Sequence, residues 1–217
     1  EKPQMSISWQ SYAVLAWLTA VIIMLALLIQ RVFFVRYLIR RSNPADDDLL
    51  SHLTRCASKM NMRQKVDLRI SAKTASPSVC GLLRPVILMP RGLTDRLTPN
   101  QVDAVLMHEL AHIKRADLWV NLFQALLQIV YFYNPLLWFA NAKIRRVREQ
   151  AVDEMVLVAM EDRAEDYPET LLSVSKLVWS KPMLSLRLIG VVESKSALTA
   201  RIKHILSRPF PKSAKIS

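Results

Sequence analysis

Residues 12–29 form an eighteen-residue stretch without a charged side chain. As a helix, at ~1.5 Å per residue, the stretch measures about 27 Å, close to the hydrocarbon thickness of a bilayer. A transmembrane helix is therefore expected near the N-terminus, and whatever follows has to fold beside a membrane. Trp9 and Trp17 anchor one interface and Arg31, Arg36, Arg40 and Arg41 the other. That bias of basic residues puts the N-terminus outside and Arg31 onward in the cytoplasm. A cleaved signal peptide fits poorly, because the run is too long, positive charge follows it, and no small-x-small site ends it. With Glu1 in place of an initiator Met, the expectation is a piece of a longer membrane protein.

The formal charge of +12, from 30 Lys and Arg against 18 Asp and Glu, suits an anionic partner. Its distribution selects which one. Residues 176–217 carry nine Lys and Arg against the single acid Glu193, so the excess sits on flanks rather than along a groove. With no helix-turn-helix, zinc finger or aromatic RNA-binding motif, direct nucleic-acid binding is not expected, and membrane lipids are. Three Gly and no Gly-x-Gly or Gly-Lys-Ser/Thr run exclude the phosphate-cradling loops of nucleotide enzymes. Cys56 and Cys80 lack Cys-x-x-Cys spacing and read as reduced, buried thiols.

Residues 1–41 are thus expected to form a membrane helix with its basic flank, 42–207 a folded domain, and 208–217 a basic tail leading to a further membrane segment. Ser42-Asn43-Pro44 ahead of Asp46, Asp47 and Asp48 predicts a helix start, followed by an apolar face at Leu49, Leu53, Cys56 and Met60. Residues 66–70, 79–83 and 86–89 read as short strands. Thr98 with Gln101 three residues on is a capping box opening a helix to about Arg115. Residues 118–142 are again uncharged, but Asn134-Pro135 interrupts them and Asn121, Gln124 and Gln128 lay a polar stripe on the first part. Such a helix is expected to pack on the capped helix or to lie at the membrane surface rather than to span alone. Pro135 and Pro168 open two further helices, to about Met160 and Trp179. The fold class is α+β: a mostly helical domain with a small sheet, preceded by a transmembrane helix.

His108-Glu109-Leu110-Ala111-His112 falls inside the capped helix. Imidazoles four residues apart lie one turn apart on one face, at the separation that chelates a single tetrahedral Zn²⁺. Glu109, about 100° round the helix, is placed to act as general base toward a water that the metal acidifies. A third ligand is needed. The position six residues after His112 is Leu118, which excludes one class of zinc protease. Asp117, five residues after His112 and about 140° off the histidine face, is a weak candidate. The cluster from Arg148 to Glu154 is better: Glu149 and Asp153 share a face at i, i+4, one as ligand and one as acceptor for a ligand histidine N–H, while Glu154 turns about 140° away.

Four blocks resemble one family when taken in order: Ser78-Val79-Cys80-Gly81 through Val86-Ile87-Leu88-Met89-Pro90; Leu97-Thr98-Pro99-x-Gln101 with His108-Glu109-Leu110-Ala111-His112; the apolar run from Trp119 to Asn134-Pro135-Leu136-Leu137-Trp138; and Arg148-Glu149-x-x-x-Asp153-Glu154. They look like the BlaR/MecR-type membrane metallopeptidases, the antirepressor family of β-lactam resistance sensors. The likeness covers about residues 45–207. It implies a gluzincin-like peptidase domain in the cytoplasm beside transmembrane helices, using Zn²⁺ to cleave a protein such as a DNA-binding repressor or the chain itself. It also implies His108, His112 and Glu149 as zinc ligands, Glu109 as the catalytic base and Asp153 as the supporting acid. Many relatives carry Cys before that Asp where this chain has Val152, a position not expected to bind metal.

The alternative is a non-catalytic signalling or binding module of the same fold with a structural zinc, which would have no use for Glu109. Ser173-Val174-Ser175-Lys176 matches Ser-x-x-Lys, but its companion motifs are missing, so β-lactam sensing is not expected here. By gluzincin analogy, residues 79–83 or 86–89 would be an edge strand to which an extended substrate adds. The individual substrate-binding residues stay open. His52 and His204 read as surface or packing residues, and Glu161, Asp162, Glu165 and Asp166 as a solvated loop.

Overall fold

A long helix leads into a small sheet and a short helix, and five further helices follow, the first of them packed on both. This is a computed structural model describing residues 8–179 and 195–207. The basic tail 208–217, and residues 180–194 of the basic run before it, lie outside the described residues. Helix α1 (Trp9–Arg40) runs past Ile29 to carry Arg31, Arg36 and Arg40, and it is long and apolar enough to cross a bilayer. Strand β1 (Asn43–Pro44) then pairs antiparallel with β2 (Asp67–Ser71), Asn43 opposite Ile70. The expected helix start at Ser42-Asn43-Pro44 is therefore displaced. Proline's fixed φ suits a sheet edge, where no amide proton is required of it, and the cap falls to Asp46, whose carboxylate accepts from Leu49 N–H at 3.2 Å. Helix α2 (Asp47–Lys59) buries Leu49, Leu53 and Cys56.

Strand β4 (Val86–Pro90) lies parallel to β2 and antiparallel to β3 (Ser78–Cys80), in the order β1-β2-β4-β3. Every residue of β4 is buried. Residues 86–89 are thus interior, with both backbone edges occupied, and of the two expected edge strands only β3 is one. Its end at Cys80 is enforced by Gly81, at φ +85°, where a Cβ would lie 2.3 Å from the Arg84 carbonyl oxygen. Leu82 and Leu83 accordingly belong to the turn.

Helix α3 (Pro99–Lys114) starts at the capping box, with both reciprocal bonds between Thr98 and Gln101 formed. It runs through the centre of the core, burying Ala104, Leu106, Leu110 and Ala111 completely against side chains of α2, the sheet and α5 (Pro135–Met160). Ala116, left-handed at φ 56°, ends it and starts α4 (Asp117–Val130) in a new direction. The polar stripe of α4 faces α5 rather than α3, because α5 supplies the partners its amides need. Gln124 donates to Asn141 (3.0 Å), Asn141 donates to Gln128 (2.7 Å), and Arg148 donates to Asn121 and Gln124. Asn134 caps α5 through Leu136 N–H. A 3₁₀ segment, Glu161–Asp166, leads to α6 (Tyr167–Trp179), and α7 (Lys195–Leu206) packs on α5 and α6.

Candidate metal centre

The third turn of α3 and the middle of α5 meet face to face. His108 Nε2 lies 3.8 Å from one oxygen of Glu149, and His112 Nε2 lies 4.0 Å from the other. One donor atom from each of the three residues falls within 4.8 Å of the others, and the two rings stand at 84° with centroids 4.9 Å apart. Two imidazole nitrogens and a carboxylate at these separations match the donor set and spacing of one tetrahedral ion held at about 2.0–2.2 Å from each ligand, and His/Glu chemistry suits zinc. Among the described residues this is the one His/Cys/Asp/Glu group so disposed.

The far nitrogens of both rings are engaged, which fixes the tautomers. His112 Nδ1–H donates to Asp117 Oδ2 at 2.7 Å. Extending α3 would have carried Asp117 away from the histidine face, but the left-handed Ala116 swings it back. Arg115 and Arg148, 3.7 and 3.9 Å from its other oxygen, offset its charge. His108 Nδ1 meets the Tyr167 hydroxyl at 2.9 Å, and that hydroxyl donates to Asp153 Oδ1 at 2.7 Å, so the histidine is the donor to Tyr167. Asp153 therefore reaches His108 through Tyr167; its own oxygen is 3.7 Å from the ring. Arg201 of α7 closes the chain with two bonds to Asp153, at 2.8 and 2.6 Å, and stands 3.6 Å from Glu149. Burial and the Asp153 charge push the Tyr167 phenol well above its usual range, so it keeps the proton it donates.

Burial, with the nearby His112 and Arg201 charges, holds His108 well below the ordinary histidine pKa, leaving Nε2 a free lone pair. Burial also pulls on His112, but the hydrogen bond to Asp117 and the Glu149 and Glu109 charges outweigh it and raise its pKa. Glu109 is buried beside them, and desolvation pushes its carboxyl up to about 7, with the Glu149 charge adding to the rise and His112 opposing it. A carboxyl in that range accepts and returns protons near neutral pH.

Tyr167 and Arg201 were not singled out from sequence, and no spacing relates either to the histidine pair. Asp117 carried a signal, proximity to His112, without the turn that gives it its role. Glu154 points elsewhere, 3.6 Å from His204, and His52 pairs with Asp103 at 2.5 Å where α2 meets α3. Burial raises the Cys56 thiol to about 12 and Cys80 to about 11, so both stay protonated. Beside His112 opens a pocket of about 80 Å³, walled by the Gly81–Leu82 turn, Ile113, Ala116, Leu118 and Trp119.

The family model described as BlaR1 peptidase M56 matches residues 2–205. The regulatory protein BlaR1 of Bacillus licheniformis is 33% identical over 131 residues, which are 60% of this chain and 22% of that protein. The methicillin resistance mecR1 protein of Staphylococcus aureus strain Mu50 is 27% identical over 142 residues, 64% of this chain and 24% of that protein. A shorter likeness, 40% over 60 residues covering 27% of this chain and 20% of the relative, links it to the protease HtpX homolog 2 of Methanosarcina mazei. The chain thus spans about a quarter or less of the length of these relatives.

Proposed function

The chain belongs to the BlaR1 peptidase M56 family, and from that premise we propose that it is a membrane-tethered zinc endopeptidase acting on a protein substrate at the cytoplasmic face. Residues 42–207 would be the peptidase domain and α1 its tether. The observation that carries this reading is the convergence of His108, His112 and Glu149 with Glu109 buried on the same helix turn. His108 and His112, through Nε2, and Glu149, through its carboxylate, would hold the zinc. When bound there, zinc supplies Lewis acidity to the scissile carbonyl and to a water. Glu109 takes the proton of the attacking water and returns it to the leaving amide nitrogen. Asp117 holds the His112 ring, and Tyr167, backed by Asp153 and Arg201, holds that of His108.

Strand β3 packs on α3, and its outer edge supports backbone recognition of an extended segment. The relatives' roles favour a regulatory substrate, a transcriptional repressor or the chain itself, over general digestion. Glu109→Gln is expected to keep zinc, since no ligand changes, and to lose most hydrolysis of such a substrate. Unchanged cleavage in that variant would remove Glu109 from the chemistry, and no cleavage by the parent either would return the protein to the reading of a non-catalytic signalling module with a structural zinc.

A further inference from the structure

The outward surface of α4 and the first half of α5 is apolar where water-facing helices are polar. Phe123, Leu136 and Phe139 leave 62%, 74% and 73% of their surface uncovered, and Trp119, Leu126 and Trp138 are exposed beside them. No charge occurs in residues 118–142. The polar groups bond across the helices instead: Asn121, exposed, and the half-buried Gln124 and Gln128 are tied to Arg148 and Asn141. The connecting turn is closed the same way. Tyr131 N–H donates to the Leu127 carbonyl (2.9 Å), Asn134 N–H to that of Tyr131 (2.9 Å), and the Trp138 indole to that of Phe132 (2.8 Å). An apolar exterior over polar groups bonded largely to one another, with Gln128 Nε2 left without a partner among the described residues, is what hydrocarbon favours and water does not.

Contacts with α1 set the level of this hairpin. The Trp17 indole N–H donates to the Val130 carbonyl at 3.1 Å, so the end of α4 lies beside the uncharged run of α1. At the other end, the Arg31 and Arg145 charges act on each other, which brings the basic start of the second half of α5 level with the end of that run. Trp17 and Arg31 are fourteen residues apart, about 21 Å along the helix and most of a hydrocarbon core of about 30 Å.

We propose that the α4–α5 hairpin is a re-entrant membrane element, inserted among lipid acyl chains alongside α1 and entering and leaving on the Arg31 side. His112 and Asp117, at the foot of α4, then lie at the membrane surface, and substrate reaches the centre from the bilayer interface. The proposal rests on α1 as a span. Lipid is the occupant because the hairpin's apolar face is tied to the bare apolar surface of α1, and the first cations after the uncharged run, Lys143, Arg145 and Arg146, gather at its mouth where anionic headgroups would meet them.

The test places single cysteines at Phe123, Leu136 and Phe139, with Ile22→Cys in α1 and Lys59→Cys as a water-exposed reference. Each is labelled with an environment-sensitive fluorophore in the full chain, reconstituted into phosphatidylcholine–phosphatidylglycerol vesicles. These side chains are exposed, so substitution leaves the packing intact, and the protonated Cys56 and Cys80 label little, with the unsubstituted protein as blank. Insertion predicts that lipid-borne nitroxide quenches the three hairpin labels as strongly as Ile22→Cys, while aqueous iodide quenches only Lys59→Cys. Hairpin labels open to iodide beside a lipid-quenched Ile22→Cys would overturn the insertion and leave the tether standing. Labels shielded from both quenchers would overturn it in favour of a second copy covering the face. Lipid quenching in the hairpin with none at Ile22→Cys would sink the tether and, with it, insertion alongside α1.

Discussion

The two histidines of the centre are held by supports of opposite construction. His112 leans on Asp117, five residues along, delivered by one left-handed residue. His108 leans on Tyr167 of α6, which leans on Asp153 of α5, which Arg201 of α7 neutralises. The first support is a local turn that exists once α3 ends. The second exists only when three helices have docked, and it includes a carboxylate with 1% of its surface exposed. A buried charge of that kind is tolerated while paired and strongly destabilising once its partner leaves. The docking of α7 therefore sets the geometry of one imidazole and leaves the other alone.

Removing the charge that closes the longer support gives the largest expected effect. Arg201→Met should destabilise the protein by about 3–5 kcal/mol, because Asp153 is left buried and facing Glu149 without its cation. Urea unfolding in detergent reads this, and Asp153→Asn added to Arg201→Met should recover part of the loss. Equal stability of Arg201→Met and the parent would mean that α7 does not hold this support together.

Glu109 belongs to neither support, and desolvation is the largest cause of its shift. Its folded pKa of about 7 stands above the value of 4.5 for an unburied side chain. The folded state therefore holds that proton more tightly, and the stability this gives is full below about pH 4.5 and lost as pH rises to 7. Above that, the buried charge costs about 3 kcal/mol. Metal-free Glu109→Gln should accordingly melt higher than the parent at pH 8 and near it at pH 5. A difference independent of pH would place the effect in packing rather than in charge.

Zinc affinity separates the supports directly. Asp117→Ala and Tyr167→Phe should each weaken zinc about 10- to 100-fold against a competing chelator, the usual size for losing a group that orients a ligand histidine. Asp117→Ala combined with Arg201→Met should be additive, since the two residues act on different rings. Tyr167→Phe combined with Arg201→Met should be less than additive, since they act in series. Additivity in both pairs would erase the distinction between a local and an assembled support.

Local relations were legible in the sequence for the same reason that the Asp117 support is simple. The capping box, the histidine pair and the Asn134-Pro135 break each depend on residues within a turn of one another, and α3, α4 and α5 begin and end close to where those signals put them. Pro44 was misread because proline serves a helix start and a strand edge equally well, and the pairing with β2 decides between them. Residues 86–89 read correctly as a strand, yet nothing in a four-residue apolar run tells which neighbours flank it. Asp117 needed one backbone residue to leave the helical region. Tyr167 and Arg201 needed the packing of α6 and α7, for which the chain carries no spacing signal at all.

The smallest expected effect comes from Glu154, and it is the control that gives the others their meaning. Glu154 adjoins Asp153 on α5 and carries the same charge, so any loss of zinc through the net negative potential of the cluster would appear in both. One residue of a helix is about 100° of rotation, which turns Glu154 from the centre toward α7, where one oxygen lies 3.6 Å from His204. That pair is partly exposed, and contacts of this kind contribute about 0–1 kcal/mol. Glu154→Ala should therefore leave zinc affinity within about twofold of the parent and stability within about 1 kcal/mol. Asp153→Ala in the same titration should lose about 10- to 100-fold. If both variants lose zinc equally, the centre responds to the overall charge of α5, and the hydrogen-bonded path from Arg201 through Asp153 and Tyr167 to His108 is not what orients the ring.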